Sequence, residues 1–129
     1  MTDKFALSPY EIAALAANLA DEKKALDISM LDTAKVSYLA DYFVICSGES
    51  AAQIQAITET IKSALNKMGI APLGEEKDGN KRWNLLDYGD VVIHVMHPQE
   101  RQFYQLEQFW NHANVVSQAL WQQDARKAS

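Results

Sequence analysis

The residue types most able to do chemistry are His94, His97 and Cys46, which fall on neighbouring predicted strands and are metal-ligand types. His94 and His97 are three positions apart. On a strand that spacing puts them on opposite faces, so they cannot share one tetrahedral ion. The pattern predicts a strand histidine and a turn histidine before Pro98, and no metal site. Cys46 ends an apolar run and is followed by Ser47 and Ser50. A nucleophile needs a base within hydrogen-bond reach. The sequence places none, and the G-x-S-x-G elbow spacing is absent. Cys46 therefore reads as a core residue and Ser50 as a helix cap; no catalytic residue is expected.

Ser47-Gly48-Glu49-Ser50, between a strand and a helix, could present helix N–H groups to an anion. Neither G-x-x-x-x-G-K-[ST] nor G-x-G-x-x-G is present. The turn looks like the Gly-Ser turn of nucleotidyltransferases, which hold magnesium on two carboxylates spaced as Asp-x-Asp or Asp-x-Glu. No Asp-x-Asp, Asp-x-Glu or similar pair is expected after this turn; the nearest carboxylates are read as Asp87 and Asp90, three apart across a turn, and Glu49 would repel phosphate. No cofactor is expected. A different chemistry is offered by Trp83, Leu85, Asp87, Tyr88, Gly89 and Asp90, a dense group of aromatic, apolar and acidic residues. Trp and Tyr suit an interface anchor, and acidic neighbours steer a basic partner. On these residues alone, the alternative that Trp83 and Tyr88 complete the core stands equally open.

The elements that must position these groups follow from periodicity. Ser8-Pro9-Tyr10-Glu11 predicts a capped helix start, and the helix over about 8–24 has a narrow, alanine-rich stripe that suits an outer layer. Leu26, Ile28 and Met30 alternate as in a strand. Tyr42 to Cys46 is a continuous β-forming run, expected to be a strand buried on both faces. Val36 to Tyr42 is a short connection. Ile54, Ile57, Ile61, Leu65 and Met68 mark an amphipathic helix over Ser50 to Met68, stopped by Gly69. Gly74 to Arg82 reads as a loop. Trp83–Leu86 and Val91–Met96 predict a hairpin around Asp87-Tyr88-Gly89-Asp90. Phe103, Leu106 and Trp110 have helical spacing, and Asn114 to Lys127 can form a last helix with Val115, Val116 and Leu120 on one face. The order gives an α/β fold, a mixed β-sheet flanked by helices.

Length and charge bound the rest. The 129 residues suit one domain, 1–129. One cysteine fits a reducing cytosol, and no apolar run approaches the roughly 20 residues of a membrane span. The first residues carry neither signal-peptide nor transit character. A cytoplasmic location is expected. The net charge of −5, from 12 Lys+Arg against 17 Asp+Glu, disfavours binding nucleic acid by bulk charge and permits a basic protein partner. No Lys or Arg occurs from Val36 through Ile61 or from Trp83 through Glu100.

Three ordered blocks carry a family resemblance. Ala40 to Ser50 (ADYFVICSGES) resembles the A-D-Y-F-V-I-x-S-G-x-S signature of the ribosomal silencing factor (Iojap-like) family. Trp83 to His94 resembles its W-x-L-[LI]-D-[YF]-G-D block, which ends in three β-branched residues and a histidine. His97-Pro98, Arg101, Phe103-Tyr104, Leu106-Glu107 and Trp110 resemble its closing pattern. The blocks span about 26–110, with a helix at 8–24 before them and an extension at 114–129 after them. Cys46 stands where the family has a small residue. The resemblance implies a nucleotidyltransferase-like fold without the catalytic carboxylates and no enzymatic activity. It implies a homodimeric translational repressor that binds the large ribosomal subunit through a basic protein on the inter-subunit face, ribosomal protein number fourteen, and sterically blocks joining of the small subunit. The partner-binding residues carried over are Trp83, Leu85, Asp87, Tyr88, Gly89 and Asp90, with Arg101, Tyr104 and Glu107 holding the C-terminal segment. Alternatives are a large-subunit assembly factor and a nucleotidyltransferase-like enzyme.

Overall fold

The chain builds one six-stranded mixed sheet, and a computed structural model describes residues 7–35, 40–105 and 114–128 of it. In chain order the elements are α1 Pro9–Glu22, β1 Leu26–Asp32, β2 Tyr42–Ser47, α2 Ala51–Lys67, β3 Gly74–Lys77, β4 Trp83–Asp87, β5 Val91–Met96, α3 Pro98–Tyr104, β6 Asn114–Val116 and α4 Gln118–Ala128. The strands lie in the order β3-β4-β5-β2-β1-β6, with only β2 and β5 paired in parallel. The other four pairings are antiparallel.

The expected helix starts are present. Ser8 Oγ accepts from Glu11 N at 3.2 Å while Glu11 Oε1 accepts from Ser8 N at 2.9 Å, a full capping box. Ser50 Oγ caps α2 by accepting from Gln53 N at 3.1 Å. Gln53 returns its own side-chain oxygen to Glu49 N, at 2.8 Å. Gly69 takes the positive φ of 79° that ends α2.

Period two along the strands divides the sheet into two faces. Met30, Val44, Cys46, Leu86, Val91, Ile93 and Val95 turn toward the helices and pack with Ile54, Ile57, Ile61 and Leu65 of α2. Leu31, Phe43, Ile45 and Met96 turn the other way and pack with Ala40, Trp83 and Val92. Val44, Ile45 and Cys46 are all fully buried, so β2 is the two-sided central strand its continuous apolar run predicts.

Three expectations are corrected. The helix expected on an outer layer, α1, is central: Ala13, Ala14, Ala16, Ala17 and Ala20 have no exposed surface, and the helix packs against β1, β2, β5, α2 and α4. Alanine is what lets a helix approach on several sides at once, because its side chain adds little to the radius. The expected loop Gly74 to Arg82 contains a strand, β3, paired antiparallel with β4. The expected helix from Asn114 starts only at Gln118; Asn114–Val116 instead pairs with β1. Val115 and Val116 therefore lie on opposite faces of the sheet, opposite Leu31 and Met30. The helix after Pro98 ends at Tyr104, with Gln105 in the left-handed region as its C-cap. Leu106, Glu107 and Trp110 lie outside the described residues, as do Val36 to Leu39 of the connection before β2.

Candidate functional site

The hairpin expected from the sequence is formed, and its register sets the geometry of the site. Trp83 pairs with Met96, Leu85 with His94 and Asp87 with Val92. These six side chains share the face turned away from α1 and α2. Asn84 and Leu86 point to the helices; Asn84 Nδ2 donates to Thr58 Oγ1 of α2 at 3.0 Å.

Trp83 is fixed by a histidine. Its indole Nε1–H donates to His94 Nδ1 at 3.1 Å, with ring centroids 5.9 Å apart, and the Phe43 ring lies 5.5 Å from the same imidazole. An accepting Nδ1 puts the proton of the neutral ring on Nε2. Nε2 is buried and has no hydrogen-bond partner among the described residues. Burial pushes the His94 pKa down to about 4, so the ring is neutral at pH 7.

The turn is held by its own residues. Asp87 Oδ1 accepts from Gly89 N at 2.8 Å, Tyr88 N donates to Val91 O, and Gly89 takes φ 86°. The Asp90 carbonyl accepts from Asp41 N and Tyr42 N, which ties the turn to the start of β2. The six expected residues are not all brought together. Trp83, Leu85 and Asp87 form one half-buried row. Tyr88 packs against the helix-side core, on the opposite face from Trp83. Its hydroxyl is buried without a hydrogen-bond partner among the described residues, and burial raises its pKa to about 12. Asp90 is exposed beyond the turn.

One further residue joins the row. Glu76 on β3 pairs with Leu85, so its carboxylate lies on the same face. A shallow trough of about 350 Å³ is lined there by Glu76, Lys77, Asp78, Trp83 and Leu85. Leu73 is 79% exposed beside the turn; a Cβ on Gly89 would meet its Cδ1 at 3.2 Å. Sequence periodicity misses Glu76, because β3 carries charge on its two faces. The available signal is Asp78-Gly79, a hairpin-turn dipeptide just before Trp83.

The other candidate groups separate. Cys46 is buried on the helix face and burial raises its thiol to about 12, an unreactive state. His94 lies on the opposite face, and His97 caps α3, its Nδ1 accepting from Gln99 N at 3.1 Å. Among the described residues no three His, Cys, Asp or Glu side chains could hold a metal ion. Arg101 is buried and donates to Ser47 Oγ at 3.2 Å and to Ser29 Oγ at 3.4 Å, linking α3 to β2 and β1. At the start of α2 a cavity of about 530 Å³ lies between Ala51, Gln55, Asn84 and the β3–β4 turn. Asp78 is the one carboxylate lining it among the described residues, and its Oδ1 already accepts from Arg82 N at 2.8 Å. A Glu-x-Asp pair, Glu76 and Asp78, does follow the Gly-Ser turn, but Glu76 is not part of this cavity.

The chain as a whole is similar to known proteins. The family described as "Ribosomal silencing factor during starvation" matches residues 6–129. The chain belongs to this family. The silencing factor of Bacillus subtilis is 45% identical over 110 residues, covering 85% of this chain and 93% of that protein. A crystal structure of a Chromobacterium violaceum protein superposes with a TM-score of 0.78 at 33% identity, over 81% of this chain and 88% of that one. A more distant relative, the mouse protein named "Mitochondrial assembly of ribosomal large subunit protein 1", is 32% identical over 97 residues, which is 42% of its length. The silencing-factor match reaches beyond the three motif blocks to include α1 and α4. These are the helix most deeply buried and the one that supplies the buried Trp121 beside it.

Proposed function

We propose that this chain is a non-enzymatic repressor of translation that docks on the large ribosomal subunit through the Trp83–Asp87 row and keeps the small subunit from joining. The partner proposed is the basic ribosomal protein number fourteen on the inter-subunit face. The observation that carries the reading is the composition of one sheet face. Trp83 and Leu85 offer apolar area, Glu76 and Asp87 flank them with negative charge, and Trp83 is held in one orientation by His94. A pre-oriented aromatic anchor with acidic neighbours fits a basic protein surface. Repression is then steric. A compact domain of this length has a radius of gyration of about 14 Å and is roughly 35 Å across, far more than the gap between closely apposed subunits.

The test is a subunit-joining assay with purified protein. Wild type is expected to block joining, and Trp83→Ala to lose the block together with co-sedimentation on large subunits. Blocking by Trp83→Ala at wild-type level would remove the hairpin from the reading. A second reading, large-subunit assembly, is favoured by the name of the mouse relative. It requires binding to precursor particles and leaves the joining of mature subunits unaffected.

A further inference from the structure

Strand β3 ends the sheet, and its outer edge is unpaired among the described residues. The ladder shows which groups it exposes. Asp78 N donates to Trp83 O, so Asp78 and Trp83 are a hydrogen-bonded pair. Antiparallel alternation makes 76/85 hydrogen-bonded as well and leaves 75/86 and 77/84 as the non-bonded pairs. The N–H and C=O groups of Glu75 and Lys77 therefore point away from β4, along the open edge. Around this edge, Gly74 to Asp78 carries three carboxylates and one ammonium. Glu75 is engaged by Lys62 at 3.0 Å and by Lys77 at 3.6 Å. Glu76 stands on the opposite face, over the trough whose apolar walls are Trp83 and Leu85.

We infer that β3 is an acceptor edge: an extended, basic segment of a protein partner adds to it as a seventh strand. Main-chain bonds to Glu75 and Lys77 would supply register. Alternate side chains of the added strand would fall on the trough side, where a Lys or Arg lays its methylenes over Trp83 and Leu85 and its charge beside Glu76 and Asp78. The net negative charge of β3 favours a basic strand over a second copy, since charged edge residues deter self-pairing and the symmetric antiparallel register would set Glu76 against Glu76. The opposite edge, β6, has three uncharged residues. This inference rests on the proposed docking face and names how the partner engages it.

The experiment uses isolated large ribosomal subunits as the probe, with the full chain. Lys77→Pro removes one outward N–H without breaking a bond to β4, and proline is tolerated at such edge positions. Lys77→Ala controls for the lost charge. Binding of Lys77→Pro is expected to weaken about tenfold or more while Lys77→Ala stays within about threefold of wild type. Hydrogen exchange of the unmodified chain supplies a second measurement. The peptide covering Glu75 to Lys77 is expected to gain protection at the two outward amides on binding. Wild-type affinity of Lys77→Pro, or no gain of protection in the bound wild type, overturns the strand addition. If Trp83→Ala still loses binding in that case, the docking face itself stands; if both variants bind as wild type, both readings fall.

Discussion

Lowering the pH should unfold this protein partly through one residue. His94 is 6% exposed, has no partner for Nε2 among the described residues, and accepts the indole N–H of Trp83 at Nδ1. Its folded pKa is about 4, set by desolvation, against about 6.5 in an unfolded chain. The unfolded state therefore binds the proton first, and stability falls as pH drops below about 6.5, levelling off below about 4. The full shift corresponds to about 3 kcal/mol, of which about 2 kcal/mol is lost between pH 7 and 4.5. Other groups titrate over the same range, so the comparison must be with His94→Gln, which cannot gain the proton but keeps a side-chain acceptor for Trp83. Urea unfolding of both proteins at pH 7, 6, 5 and 4.5 measures it. Wild type is expected to lose about 2 kcal/mol more than His94→Gln across that range. Parallel losses in the two proteins would refute the buried, neutral histidine and the pre-oriented tryptophan with it.

Trp121→Ala should cost about 3–5 kcal/mol in the same unfolding assay, because the Trp121 side chain is fully buried against α1. Gly89→Ala should cost about 1–2 kcal/mol and lower the melting temperature by a few degrees, since φ 86° is strained for alanine and its Cβ must displace Leu73. Asp87→Asn should keep the melting temperature, because an amide oxygen can still accept from Gly89 N, while weakening binding to large subunits and flattening its salt dependence. Sedimentation across a salt series checks it; unchanged binding would show that the Asp87 charge serves only the turn.

Much of the frame was legible because its signals are local. The capping box at Ser8, the stripe from Ile54 to Leu65 and the continuous run Tyr42–Cys46 each report on neighbouring residues of one element. The hairpin from Trp83 to Met96 was legible for the same reason. The misses have a shared cause. Alanines in α1 carry almost no hydrophobic signal, although they are what a helix needs when several elements approach it. β3 shows no apolar alternation, because Glu75, Glu76 and Lys77 are exposed on both of its faces. Val115 and Val116 fit a helix stripe in isolation; pairing with β1 is what turns them to opposite faces.

The candidate site divides along the same line. The sequence by itself determined which residues could bind: the Trp83-to-Asp90 block, its acidity, the absence of a G-x-S-x-G or phosphate-loop spacing, and the turn that needs a glycine at position 89. Only the tertiary structure decided which of them share a surface. Sheet register puts Trp83, Leu85, Asp87 and Glu76 on one face and sends Tyr88 to the other, and it brings His94 under Trp83 from the next strand. The reason is physical. A side chain's type is fixed by one codon, but its face is fixed by the pairing of distant strands, and that pairing is selected by the whole buried core at once.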